Sequence, residues 1–96
     1  MTQGDRPDSL VTFGLRTKIF IEECRSHGET LTALARQAHL TPNTLREIVK
    51  GNRPLPNTST LMAIDDLGGG HLLTREERAW AEQTRKRYLA RWKSHR

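Results

Sequence analysis

Residues 30–53, TLTALARQAHLTPNTLREIVKGNR, constrain this chain more than any other stretch. Two short helical patterns follow one another there, with only about three residues, 38–40, to connect them. Leu34, Ala35 and Ala38 share one face of the first pattern. Leu45 and Ile48, three apart, share one face of the second. Start signals precede both. Thr30 can accept from a free backbone N–H in the first turn of one helix, and Thr41 can do the same for the other. Pro42 follows Thr41 at the first helical position, where its missing N–H is no loss and its fixed φ suits the helix. Lys50 falls in the last turn, favourable with the helix dipole, and Gly51 is a natural left-handed stop. So short a connection forces a steep crossing of the two helices, the helix-turn-helix geometry.

The rest of the chain reads as helix as well. Residues 1–9 have no hydrophobic period and predict a flexible arm. Phe13, Thr17, Phe20 and Cys24 recur at helical spacing over 12–27, with Ile19 beside them, and Gly28 ends the pattern. Gly14 would weaken the first turn by up to ~1 kcal/mol relative to Ala. Two prolines in 52–56 forbid continuation of the second motif helix. Asn57 or Thr58 then caps a helix with Leu61, Ile64 and Leu67 inward. Gly68, Gly69 and Gly70 mark a break and a candidate hinge. Thr74 and Glu77 form a capping box, from which a helix runs to about Lys93. The expectation is an all-α, compact bundle of about five helices, with a helix-turn-helix domain over 10–70 and a basic C-terminal helix over 71–96.

The pattern Leu34-Ala35, Leu40-Thr41, Leu45, Ile48 and Lys50-Gly51-Asn52-Arg53 resembles the lambda-repressor-like, or Xre-type, helix-turn-helix family. Such proteins continue with a proline-bearing loop and a helix ending in Leu-Gly. Here Pro54-Leu55-Pro56 precedes Leu61, Ile64 and Leu67-Gly68, so the resemblance covers roughly 13–68. Two positions depart from it. His39 stands where the turn usually has Gly, and Leu31 where the first helix often has a phosphate-binding Gln. His is among the residues that tolerate φ > 0 better than most. The resemblance implies a transcriptional regulator, most commonly a repressor, that binds double-stranded DNA as a homodimer. An antitoxin-type member, binding operator DNA and also a protein partner through its C-terminal helix, is the alternative. A helix-turn-helix used only for protein contacts is a third reading.

In that family, residues near the start of the second motif helix reach base edges. On this chain they map to Pro42, Asn43, Thr44, Arg46 and Glu47. Pro42 offers only apolar contact. Asn43 can pair with adenine N6/N7, Arg46 with guanine O6/N7, and Glu47 can accept from cytosine N4. Thr30, Thr41, Lys50, Asn52 and Arg53 surround that face and suit phosphate contacts, which set register without reading sequence. Against these roles stand an ordinary solvated helix face for Arg46 and Glu47, and a simple first-turn polar residue for Asn43.

Charge agrees with a polyanion partner. The formal net charge is +5 in 96 residues. Eight of the sixteen Lys and Arg residues fall in 75–96, against three glutamates. Trp80, Thr84, Tyr88 and Trp92, each four apart, form a stripe on that helix. It can pack on the first helix or pair with a second copy, and Tyr88 and Trp92 are the candidate dimer contacts. Its basic side can add phosphate contacts under either packing. The single cysteine, Cys24, excludes an internal disulfide and suits a reducing cytoplasm. It sits on the apolar side of its helix, as a buried structural thiol would. No apolar run approaches the ~20 residues needed to span a bilayer, and the polar N-terminus is not a signal peptide. His27, His39, His71 and His95 are too scattered for a zinc site, and no metal or other cofactor is expected. The glycines lack the context of a phosphate loop, and nothing suggests an enzyme.

Overall fold

The computed structural model describes residues 6–51 and 56–94, with side chains through residue 91. A 3-10 turn over Asp8–Thr12 leads into α1 (Phe13–Ser26), α2 (Leu31–Gln37), α3 (Pro42–Lys50), α4 (Thr58–Leu67) and α5 (Arg75–Ser94). The fold is all-α, and no strand occurs among the described residues. The helix ends are set by the side chains expected to set them. Thr30, Thr41 and Asn57 accept from the N–H of Ala33, Thr44 and Thr60, each three residues on. At α5 the capping box closes both ways: Thr74 N–H donates to Glu77 Oε1 at 2.8 Å and Glu77 N–H to Thr74 Oγ1 at 3.1 Å.

One core serves all five helices. Leu10, Phe13, Ile21, Leu34, Ala35, Leu45, Ile48, Leu61, Ile64, Leu72 and Leu73 are buried together. α3 packs on both α1 and α2, while α5 packs chiefly on α4. Gly14 explains its place in a helix here. A Cβ on it would stand 3.2 Å from the carbonyl oxygen of Ile48, so its absence lets α3 lie close against α1.

Three sequence expectations need correction. The buried line of α1 is Phe13, Thr17 and Ile21, whereas Phe20 and Cys24 sit half-buried at the core's edge and Ile19 is exposed. Thr17 can be inside because its hydroxyl donates to Phe13 O at 2.9 Å. That rotates the helix so that Val11, Leu15 and Ile19 form an exposed aliphatic stripe. The expected arm over 1–9 ends sooner than expected: Asp8 and Ser9 belong to the 3-10 turn, and the Ser9 hydroxyl donates to Glu77. Residues 1–5 lie outside the described part.

The third correction concerns the glycines after α4, which do not form a loose hinge. Asp65, buried on α4, accepts from the N–H of Leu72 at 3.0 Å and of Leu73 at 2.8 Å. Gly69 and Gly70 adopt φ of 72° and 82°, and Gly70 N–H donates to Asp65 O. The turn is thereby folded back and pinned, with Leu72 and Leu73 driven into the core.

Two arginines tie α5 down. Arg16, on α1, meets the buried Glu77 with both terminal nitrogens, at 2.8 and 3.0 Å, and also donates to Leu72 O and Ser9 O. Burial by itself would raise the Glu77 pKa. The bonds from Arg16, Ser9 and Thr74 outweigh it and hold the carboxyl at about 2. Arg78 reaches Asp65 and Asp66 on α4 and Glu82 one turn along α5. Glu82 most, then Asp66 and Asp65, raise the Arg78 pKa against the opposite pull of desolvation. The Arg16–Glu77 pair thus ties the first turn of α5 to α1. Trp80 touches the core from the rim, Thr84 is half-buried, and Tyr88 is 67% exposed.

Candidate nucleic-acid interface

The motif's first helix and its second are joined by residues 38–41, and the turn has the conformation that a Gly would adopt easily. His39 sits at φ 59°, in the left-handed region. Leu40 N–H donates back to Ala35 O at 2.8 Å, which closes the first helix. Leu31, the departure at the start of α2, packs against the core instead of pointing to solvent.

α3 is nine residues long, with opposite faces of opposite character. Leu45 and Ile48 are buried, and Val49 packs beside them. At 3.6 residues per turn, Asn43, Arg46, Glu47 and Lys50 project from the other side. Asn43, Arg46 and Lys50 are exposed, and Glu47 is half-buried. These four residues therefore make one stripe about 10 Å long on a helix of diameter ~10–12 Å, the size a B-DNA major groove admits. Pro42 and Thr44 are half-buried on either side of the helix start.

The capping threonine is more occupied than its candidate role suggests. Thr41 Oγ1 accepts from Thr44 N–H at 3.1 Å and donates to Thr44 Oγ1 at 2.8 Å. The outward-going proton at this end of α3 is then the Thr44 hydroxyl's. Thr30 Oγ1 accepts from Ala33 N–H at 3.1 Å and keeps its own proton as a donor at the exposed start of α2. At the other end Gly51 adopts φ 73° and its N–H turns back to the last carbonyls of α3. Lys50 stands exposed beside it. Asn52 and Arg53 lie outside the described residues.

The candidate positions Pro42, Asn43, Thr44, Arg46, Glu47 and Lys50 are thus gathered on one short helix, with Thr30 and Thr41 at two helix starts. Tyr88 is on α5, exposed and on a separate element, and the Trp92 side chain lies outside the described part. Sequence reasoning missed Arg16, Asp65 and Arg78, which tie α5 to α1 and α4. No local pattern marks them, since Arg16 and Glu77 are 61 residues apart in the chain. Cys24 is a free thiol with its pKa raised by burial first and then by Glu29 and Glu23. Among the described residues no group of His, Cys, Asp or Glu could hold a metal ion, and no helix is long and apolar enough to cross a membrane. Comparison with known protein families, curated proteins and solved structures gives no match for this chain.

Proposed function

We propose that this protein is a sequence-specific, double-stranded DNA-binding transcriptional regulator, a repressor in the simplest case, that reads the major groove with α3. The observation that carries this reading is the outward stripe of Asn43, Arg46, Glu47 and Lys50 opposite the buried Leu45 and Ile48. A helix fixed from behind by its apolar face holds those four side chains at defined positions, which base readout requires. The stripe combines a guanine-type donor, an adenine-type amide and a cytosine-type acceptor with a terminal cation for phosphate. The basic balance of the chain supplies the non-specific attraction that precedes readout.

Selection of bound duplexes from a random pool tests the reading directly. The expected result is an enriched site, in inverted repeat with half-sites ~34–36 Å apart if the protein binds as a homodimer. Arg46→Ala should then lose roughly 1–3 kcal/mol on that site and relax preference at one base pair. Equal weakening on selected and mixed-sequence DNA would make Arg46 a phosphate contact. A pool that enriches nothing would sink the sequence-reading role of α3.

A further inference from the structure

α5 has two halves with different charge. Over residues 75–82 two arginines face three glutamates, and Arg78 and Glu77 are both engaged inside the fold. Residues 83–94 contain Arg85, Lys86, Arg87, Arg91 and Lys93 and no acidic residue. Each residue from 85 to 91 is exposed, Tyr88 and Leu89 included. The positive excess of the whole chain is therefore concentrated on a stretch of helix that stands clear of the core.

We propose that this outer half of α5 is a second DNA contact, a sequence-indifferent arm that lies along the phosphate backbone. The proposal deepens the reading of α3 and rests on duplex DNA being the partner. Charge density favours this occupant. Residues 83–94 carry five cations and no Asp or Glu, and a duplex presents about one negative charge per ~1.7 Å of its axis. By helical spacing Arg85 falls between the exposed Tyr88 and Leu89, and Lys86 borders that surface. A second copy of α5 fits poorly. Pairing two such arms would bring ten cations together with no carboxylate between them, and like charges set against one another across an interface oppose association. The exposed Tyr88 can lie against the sugar-phosphate surface without needing an apolar partner.

The test is the salt dependence of binding to a mixed-sequence duplex, measured between about 50 and 200 mM salt. It compares wild type with the double variant Arg85→Gln/Lys86→Gln, which keeps the helix formers and removes two charges. The expected result is a slope of log K against log salt flattened by up to ~1.8, roughly 0.9 for each phosphate no longer neutralised. Gln83→Ala, an exposed position on the same helix that removes no charge, should leave that slope unchanged. An unchanged slope in a double variant with wild-type helicity and melting temperature overturns the proposal. A changed oligomeric state in sedimentation with an unchanged slope also overturns it, and assigns the arm to a protein contact. The two readings fail separately. A protein that enriches no site but whose slope flattens in the double variant keeps the arm and loses α3 as reader. One that keeps its selected site and its full slope keeps α3 and loses the arm.

Discussion

The α2–α3 corner and the α4–α5 corner turn the chain by different physical means. Between α2 and α3 the helices close on Leu34, Ala35, Leu45 and Ile48, with a threonine cap and one left-handed residue completing the turn. Between α4 and α5 the turn is organised by a buried carboxylate. Asp65 binds two backbone N–H groups of the connection, and Arg78 links it to α5. Apolar closure tolerates changes of ionisation and depends on volume. Ionic closure depends on keeping both partners charged, and removing one leaves the other desolvated. The first kind holds α3 in place whatever the ionisation around it. Beyond the ionic corner, residues 85–91 of α5 are exposed.

The comparison makes its largest prediction at Glu77. Glu77→Ala should cost ~3–5 kcal/mol of unfolding free energy, because Ser9, Thr74 N–H and the part-buried Arg16 would together lose the buried carboxylate they share. Urea melts would check it, and a loss below ~1 kcal/mol would mean that the ionic joint contributes little.

A pH series sharpens the same contrast. The Glu77 carboxyl titrates at about 2 in the fold against an ordinary value of 4.5. Its contribution is thus fully present above pH 4.5 and is lost as pH falls from there towards 2. The linked amount is about 3 kcal/mol, at 1.36 kcal/mol per unit. Glu77→Gln should lack that part of the acid loss. Leu45→Ala should instead lower stability by ~2–5 kcal/mol at every pH, parallel to wild type. If the two variants gave curves of the same shape, the distinction between the corners would be lost.

The smallest expected effect is at the caps, where the corners should behave alike. Thr41→Ala and Thr74→Ala should each cost ~0.5–2 kcal/mol in thermal or urea melts. A far larger loss for Thr41→Ala would show that the α2–α3 corner depends on its polar turn and not on its apolar closure.

The same difference decides what could be read from the sequence. The apolar corner was legible because its residues obey a local period: Leu34 with Ala35 and Ala38, and Leu45 with Ile48, between recognisable caps. The outward residues of α3 followed by subtraction, since a buried face fixes the opposite one. The ionic corner was not legible. Asp65 looks like any polar residue of α4, and Arg16 sits next to Thr17 with nothing to mark a partner 61 residues away. Spacing alone does not separate Phe20 from Ile21, which stand three and four residues on from Thr17 and both fit a helical period. The helix keeps Phe13 and Thr17 inside, the Thr17 hydroxyl being satisfied within its own helix, and continues the buried line with Ile21 while Phe20 and Cys24 stay half-buried. The stripe through Trp80 and Tyr88 left packing on the first helix and pairing with a second copy both open, because a helical period shows a shared face and not what covers it; Trp80 packs at the core's rim and Tyr88 is exposed.

The two-part character of α5 also bears on how that helix comes to exist. Starting a helix is unfavourable by a factor of ~10⁻³, whereas adding a residue to an existing one is close to neutral. The capping box at Thr74 and Glu77, tied to Arg16, gives α5 a nucleus that the core itself stabilises. The outer residues then extend by propagation alone, one hydrogen bond at a time, with adjacent cations opposing each step. Their helical state is conditional on the inner half, and neutralising their charge by a polyanion would lengthen the average helix without any change in the core.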